Sequence, residues 1–252
     1  MKRRGASWLA LLIGVGALEV GILIGLGQVA SAQPLEESVS TETELGAFED
    51  VSEDYDPWES FNEPVFDFNY KLDKYFLKPV AQVYDAVVGD GEKQIIHNVI
   101  GNVAMPKRFV NSLLQGKWGG AGRELARFVI NSTLGGAGMT DVAKYQFGIE
   151  PSNEDTGQTF GVHGWIQSRY LVLPFLPPLT LRDGVGYVFD LALDPLTYVL
   201  PFSGSAAKFG TNTVNERARY LESFHGVEEA SFDLYSSVRN VYLKRREQQI
   251  NE

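Results

Sequence analysis

From residue 56 onward, apolar residues recur three and four positions apart, the spacing of one face of a helix. Phe61, Val65, Phe68 and Leu72 open the series after an N-cap-like Asp56-Pro57, with proline at the first helical position. Phe66 and Tyr70 widen the face until this helix is aromatic around much of its girth. Pro79 interrupts, and Val80, Val83, Tyr84 and Val87 predict a second short helix that stops at Gly89-Asp90-Gly91. A third helix is expected over Glu92 to Ile100, followed after Pro106 by Phe109, Val110, Leu113 and Leu114. Lys117 to Leu134 gives the cleanest pattern, with Trp118, Ala121, Leu125, Phe128 and Val129 on one face and Arg123, Glu124 and Arg127 on the other. Gly135-Gly136-Ala137-Gly138 ends it. Residues 148 to 169 are polar and read as loop. Tyr187, Val188, Leu191 and Ala192 predict another short helix, Asp194-Pro195 restarts the chain, and residues 205–224 and 227–249 give two last helices. The fold class is all-α.

One stretch breaks the pattern. Tyr170 to Leu181 reads YLVLPFLPPLTL, apolar apart from two hydroxyls, yet it holds Pro174, Pro177 and Pro178. Proline deletes a backbone donor, so neither a core helix nor a central strand fits. An irregular apolar loop remains, tolerable only where protein or a cavity satisfies its backbone. Arg182, Asp183 and Gly184 follow at once, an abrupt switch to charge that points toward lipid.

Charge divides the chain further. Lys2, Arg3 and Arg4, the apolar run Trp8 to Ala30 and the small residues Ala30-Ser31-Ala32 describe an export signal over residues 1–32. The apolar run is long enough to span a bilayer as a retained anchor, although Glu19 in its middle opposes that. Residues 33–56 carry nine carboxylates and no Lys or Arg, within a whole-chain net charge of −10. They read as a solvated acidic tether. Residues 57–252 form one domain with a sizeable core. No basic stripe offers itself to nucleic acid. The chain has no cysteine, which excludes a disulfide framework, a thiolate nucleophile and lipidation through cysteine.

Catalytic and metal patterns are missing. His97, His163 and His225 lack zinc-pair spacing, and neither H-E-x-x-H nor G-x-S-x-G occurs. The glycines at 135–138 close a helix where a phosphate loop would open one. No enzyme activity and no cofactor are expected. Two features carry more. Tyr55, Trp58, Phe61, Phe66, Phe68, Tyr70, Tyr75 and Phe76 crowd together and suit a core helix or a membrane face equally, with Asn62, Asn69, Lys71 and Lys74 at the wetter edge. Arg182-Asp183 is either a surface ion pair or part of a polar path beside the apolar loop.

Five ordered blocks then resemble one family. They are DPWESFNEPVFDFNYKLDKYFLKPVAQVY (Asp56 to Tyr84), the stretch Asn98 to Pro106 with NSLLQG (Asn111 to Gly116), RFVINSTLGGAGMTDVA (Arg127 to Ala143), GQTFGVHG (Gly157 to Gly164) and YLVLPFLPPLTLRDGVG (Tyr170 to Gly186). The chain resembles the MlaA/VacJ proteins of the Gram-negative outer membrane. The resemblance implies a ring of amphipathic helices in the inner leaflet, enclosing a polar-lined channel. It implies intermembrane phospholipid transport: stray lipid leaves the outer leaflet for a soluble periplasmic lipid carrier, which preserves lipid asymmetry. A trimeric outer-membrane porin is the implied protein partner. By position, Phe61, Asn62, Phe68, Asn69 and Tyr70 fall in the first-helix motif, Gly164 at a hinge, and Arg182 and Asp183 along the channel. Where some members carry a second hinge glycine, this chain has Ile166, and the lipobox cysteine is absent. A porin-associated scaffold that moves no lipid is the alternative.

Overall fold

The computed structural model describes residues 56–221 and 233–252. The expected signal, nearly all of the tether, His225 and the residues joining the last two helices lie outside them. The described residues form eleven α-helices and one small hairpin. A continuous helical rod opens the domain: α1 (Glu59–Leu72), a π-helical turn (Asp73–Leu77) and α2 (Lys78–Val87). Pro79 was expected to interrupt here. The wide π turn absorbs it instead, since Lys78 N–H reaches back to the Asp73 carbonyl and the proline falls at the start of α2. The helix itself begins at Glu59, and Asp56 holds the preceding turn by accepting from Trp58 N–H at 2.9 Å.

There follow α3 (Asp90–Val103), α4 (Met105–Leu114), α5 (Trp118–Thr133) and α6 (Val142–Phe147). Next come α7 (Thr156–Val162), the hairpin strands β1 (Tyr170–Leu171) and β2 (Leu179–Thr180), and α8 (Leu181–Ala192). Helices α9 (Leu196–Val199), α10 (Phe202–Arg219) and α11 (Leu234–Asn251) complete the domain. In packing, α10 lies on α2 and α3, α4 on α5, α4 and α11 on α7, and α7 on α8. Phe66 of α1 meets Tyr235 of α11 edge to face at 5.6 Å.

Two expectations change. The polar segment 148–169 contains α7, capped by Asp155, whose carboxylate accepts from Gln158 N–H at 2.8 Å. Its glycines are there for contact: a Cβ on Gly157 would come within 2.4 Å of Asp183, and one on Gly186 within 2.3 Å of the Gly157 nitrogen. Helices α7 and α8 therefore touch backbone to backbone. The proline-rich stretch is also less irregular than expected. Its ends pair antiparallel, Tyr170 with Thr180 and Leu171 with Leu179, while all three prolines fall in the turn between, where no ladder bond is required.

Most unusual is which residues are inside. Among the described residues, twelve apolar side chains are buried against twenty-two polar or charged ones. A soluble domain shows the reverse. On α1 the inward face is Asn62, Phe66 and Asn69, continued by Asp73, while Phe61 and Phe68 are about half exposed. The asparagines expected at a wetter edge are therefore interior. On α5, Glu124 and Arg127 are buried and Leu125, Val129 and Trp118 are exposed. Phe76, Val80, Val83 and Val87, spaced four, three and four apart, make an outward apolar stripe on the opening rod.

Candidate functional site: a polar interior behind an apolar exterior

Asn62 and Asn69 lie two turns apart on α1 and act as side-chain substitutes for a third strand. Asn62 Nδ2 donates to the Tyr170 carbonyl at 3.1 Å, and its Oδ1 accepts from Val172 N–H at 2.9 Å. Asn69 Nδ2 donates to the Leu173 carbonyl at 2.9 Å, and its Oδ1 accepts from Phe175 N–H at 3.2 Å. The apolar turn thus has its backbone satisfied, which a buried polar backbone requires. Asp56 closes the set by accepting from Asn62 Nδ2 at 2.8 Å and from the Tyr235 hydroxyl. Phe68 packs edge to face on Phe175, the residue that turns the hairpin with φ of 64°. The Tyr70 ring carries Lys74 at 5.6 Å.

Thr180 ends the hairpin and caps α8, accepting from Asp183 N–H at 3.2 Å and donating its hydroxyl to the Asp183 carboxylate at 2.8 Å. That carboxylate also accepts from Tyr242 Oη at 2.6 Å, Arg246 at 2.6 Å and Arg182 Nε at 3.3 Å. Arg246 forks onto Asp155 at 2.7 and 2.9 Å, so one residue of α11 ties the cap of α7 to the first turn of α8. Burial opposes ionisation of Asp155, but the charge and hydrogen bonds of Arg246 prevail and hold its carboxyl down to about 2. Asp183 is lowered against the same opposition from burial. Burial and the Asp183 charge push the Tyr242 hydroxyl well up, which keeps it a donor.

Arg182 is almost wholly buried, and its guanidinium donates to the carbonyls of Trp165 at 3.1 Å and Ile166 at 3.2 Å. It is no surface ion pair. Gly164, one residue upstream of Trp165, has φ of 106° and open space where a Cβ would be, so it turns the chain out of α7 in a conformation that favours glycine. The geometry links the expected residues in two groups: Arg182 and Asp183 with the segment after Gly164, and Asn62 and Asn69 with the turn. The hairpin connects the two. Phe61 joins neither and faces outward.

Sequence reasoning missed several participants. Asp73 and Arg217 form a buried bidentate pair at 2.8 and 3.0 Å. Glu124 accepts from Arg108 at 2.7 Å and from Ser152 N–H at 2.6 Å. Asp190 accepts from the Thr156 hydroxyl at 2.6 Å and Asn111 at 3.3 Å, with burial raising its carboxyl despite Lys107 nearby. The D-x-x-Q spacing at Asp155 is the one local signal that could have revealed its cap in a segment read as loop; nothing local distinguished Arg246. Among the described residues no three His, Cys, Asp or Glu gather as metal ligands, and no helix is long and apolar enough to cross a membrane.

Large apolar side chains on the outside of a helical protein mark a surface that meets protein or lipid, and here the ionic groups lie inside it. The chain belongs to the MlaA lipoprotein family, whose model matches residues 54–249. It is 33% identical over 198 residues to the intermembrane phospholipid transport system lipoprotein MlaA of Shigella flexneri, covering 76% of this chain and 77% of that one. The protein of the same name in Escherichia coli K12 is 32% identical over equal shares. An uncharacterised protein of Rickettsia bellii is 33% identical over 77% of this chain and 76% of its own. A solved structure, reported as the structural basis for maintenance of bacterial outer membrane lipid asymmetry, matches with TM-score 0.69 and 33% identity, covering 78% of this chain and all of that one.

Proposed function

We propose that this protein carries phospholipid between membranes, taking lipid that has strayed into the outer leaflet of the outer membrane and passing it to a soluble periplasmic carrier. The observation that carries this reading is the inverted distribution of polarity. Exposed stripes such as Phe76, Val80, Val83 and Val87 suit acyl chains, and the buried ion pairs at Asp183 and Glu124 would form a fixed polar wall behind a headgroup path. The circuit of packing partners, from α1 and α2 through α10, α3, α4, α7 and α11 back to α1, supports a ring around that path. The names of the Shigella and Escherichia relatives favour the same function. Direction comes from the affinity of the carrier, since a conduit needs no fuel of its own. A trimeric porin is the proposed protein partner, with the apolar exterior seated in the inner leaflet.

The test is transfer of labelled phospholipid from nanodiscs containing the full chain to a soluble periplasmic carrier. Transfer that depends on the protein is expected. If the protein binds porin yet accelerates no transfer, it is a scaffold and the conduit reading falls.

A further inference from the structure

Most cations of the polar interior are held tightly. Arg108, Arg127, Arg217 and Arg246 meet their carboxylates at 2.6–2.8 Å. Lys107 differs. In the first turn of α4, it stands 3.9 Å from Asp190 Oδ2, at the outer limit of an ion pair, with its side chain 34% exposed. The other oxygen of Asp190 is occupied: Oδ1 accepts from Thr156 N–H at 3.1 Å, the Thr156 hydroxyl at 2.6 Å and Asn111 Nδ2 at 3.3 Å. Oδ2 is left facing the Lys107 ammonium. The result is a fixed negative point and a movable positive one, side by side on the rim of the buried cluster.

We infer that Lys107 and Asp190 read a zwitterionic phospholipid headgroup, Lys107 taking the phosphate and Asp190 Oδ2 the amine. This rests on the lipid-conduit reading and adds the substrate class. A tightly paired guanidinium would have to abandon a buried carboxylate to accept a phosphate, which is costly. A 3.9 Å contact to a partly exposed ammonium gives up little. The ammonium is a compact charge with three donors on a flexible stem, suited to phosphate without fixed geometry. Asp190 selects. Its carboxylate repels a headgroup with net negative charge and attracts one that brings its own amine, a few bonds from the phosphate. Four residues on in α4, and at its C-terminal cap, Asn111 and Gln115 both bond Thr159 of α7, and Gln115 Oε1 is a buried acceptor without a partner among the described residues. The polar stripe therefore continues inward from Lys107.

The experiment is native mass spectrometry of the full-length protein in detergent, offered phosphatidylethanolamine, phosphatidylglycerol, diacylglycerol or soluble glycerophosphoethanolamine. Wild type should retain phosphatidylethanolamine over phosphatidylglycerol. Lys107→Gln should lower phosphatidylethanolamine retention about fivefold, roughly 1 kcal/mol, and leave diacylglycerol unchanged, with Lys107→Arg restoring much of the loss. Asp190→Asn should shift preference toward phosphatidylglycerol. Equal loss of diacylglycerol in Lys107→Gln, unchanged retention in both variants, or equally strong retention of the soluble headgroup would overturn the inference. A wild type that discriminates between these lipids but transfers none would instead defeat the conduit reading alone.

Discussion

Arg246 offers a test of the polar interior by arithmetic. Its guanidinium makes two bonds to Asp155 and one to Asp183, so Arg246→Met leaves two carboxylates without their main partner. The Asp155 carboxyl falls from its ordinary 3.8 to about 2. At about 1.4 kcal/mol per unit that is roughly 2.5 kcal/mol. The side chain is 24% exposed, and solvent screening trims the figure to about 2 kcal/mol. Asp183 keeps Tyr242, Thr180 and Arg182, so its loss is smaller. A total of about 2–4 kcal/mol corresponds to a fall of about 5–10 °C in melting temperature for a domain of this size.

The sign follows from the direction of the shift. A carboxyl depressed in the folded state contributes stability above its unfolded value of 3.8 and loses that contribution as pH falls through about 2. Thermal unfolding of wild type and Arg246→Met in detergent should differ fully at pH 7 and nearly coincide at about pH 1.5, below both values. Arg246→Lys, which keeps the charge without the fork, should fall between them. A gap of constant size across that range would show that Arg246 acts through packing, and the ionic argument would be refuted.

Three further outcomes follow from the same geometry. Asn69→Ala strands the Phe175 amide and the Leu173 carbonyl, costing about 2–3 kcal/mol, and should speed hydrogen exchange at Phe175 while α5 stays protected. Gly186→Ala drives a Cβ to 2.3 Å from the Gly157 nitrogen and should cost about 3 kcal/mol or more, whereas Gly101→Ala, with open space inside α3, should stabilise by about 0.5–1 kcal/mol; equal melting temperatures for the two would contradict the close α7–α8 contact. Asp190 is raised by burial, so its ionised form weakens the fold at neutral pH; Asp190→Asn should melt at or above wild type at neutral pH, with any gain vanishing below the ordinary carboxyl value of 3.8.

Helix positions were legible because spacing alone sets them. Residues 92–100 and 117–134 were expected, and α3 and α5 run 90–103 and 118–133. Which face turns inward was not legible. Apolar periodicity marks a stripe, and the same stripe serves a core in water or an exterior in lipid. Asn62, Asn69, Glu124 and Arg127 resolve this only because their partners, at Val172, Phe175, Ser152 and Asp141, lie far along the chain or across a turn. Helix α7 was hidden by Gly157 and Gly161, which read as loop residues locally and are contact residues in the fold. Pro79 misled for a related reason: a π turn is a packing outcome that no residue pattern announces.

The absence of cysteine bears on what the apolar exterior must do. A lipoprotein is held by acyl chains, and one myristoyl chain alone binds a membrane at about 10⁴ M⁻¹, or roughly 5–6 kcal/mol. This chain belongs to a lipoprotein family, yet it has no cysteine to carry such chains. In the proposed seating the apolar stripes would take over that role. Tyr75, Val83, Val87, Trp118 and Val199 are each between 68% and 80% exposed. Burying each such side chain contributes about 1–2 kcal/mol, so these five alone reach about 5–10 kcal/mol, at or above a single acyl chain. In that seating these side chains would supply about as much membrane affinity as one acyl chain, so the folded domain itself would contribute to anchoring.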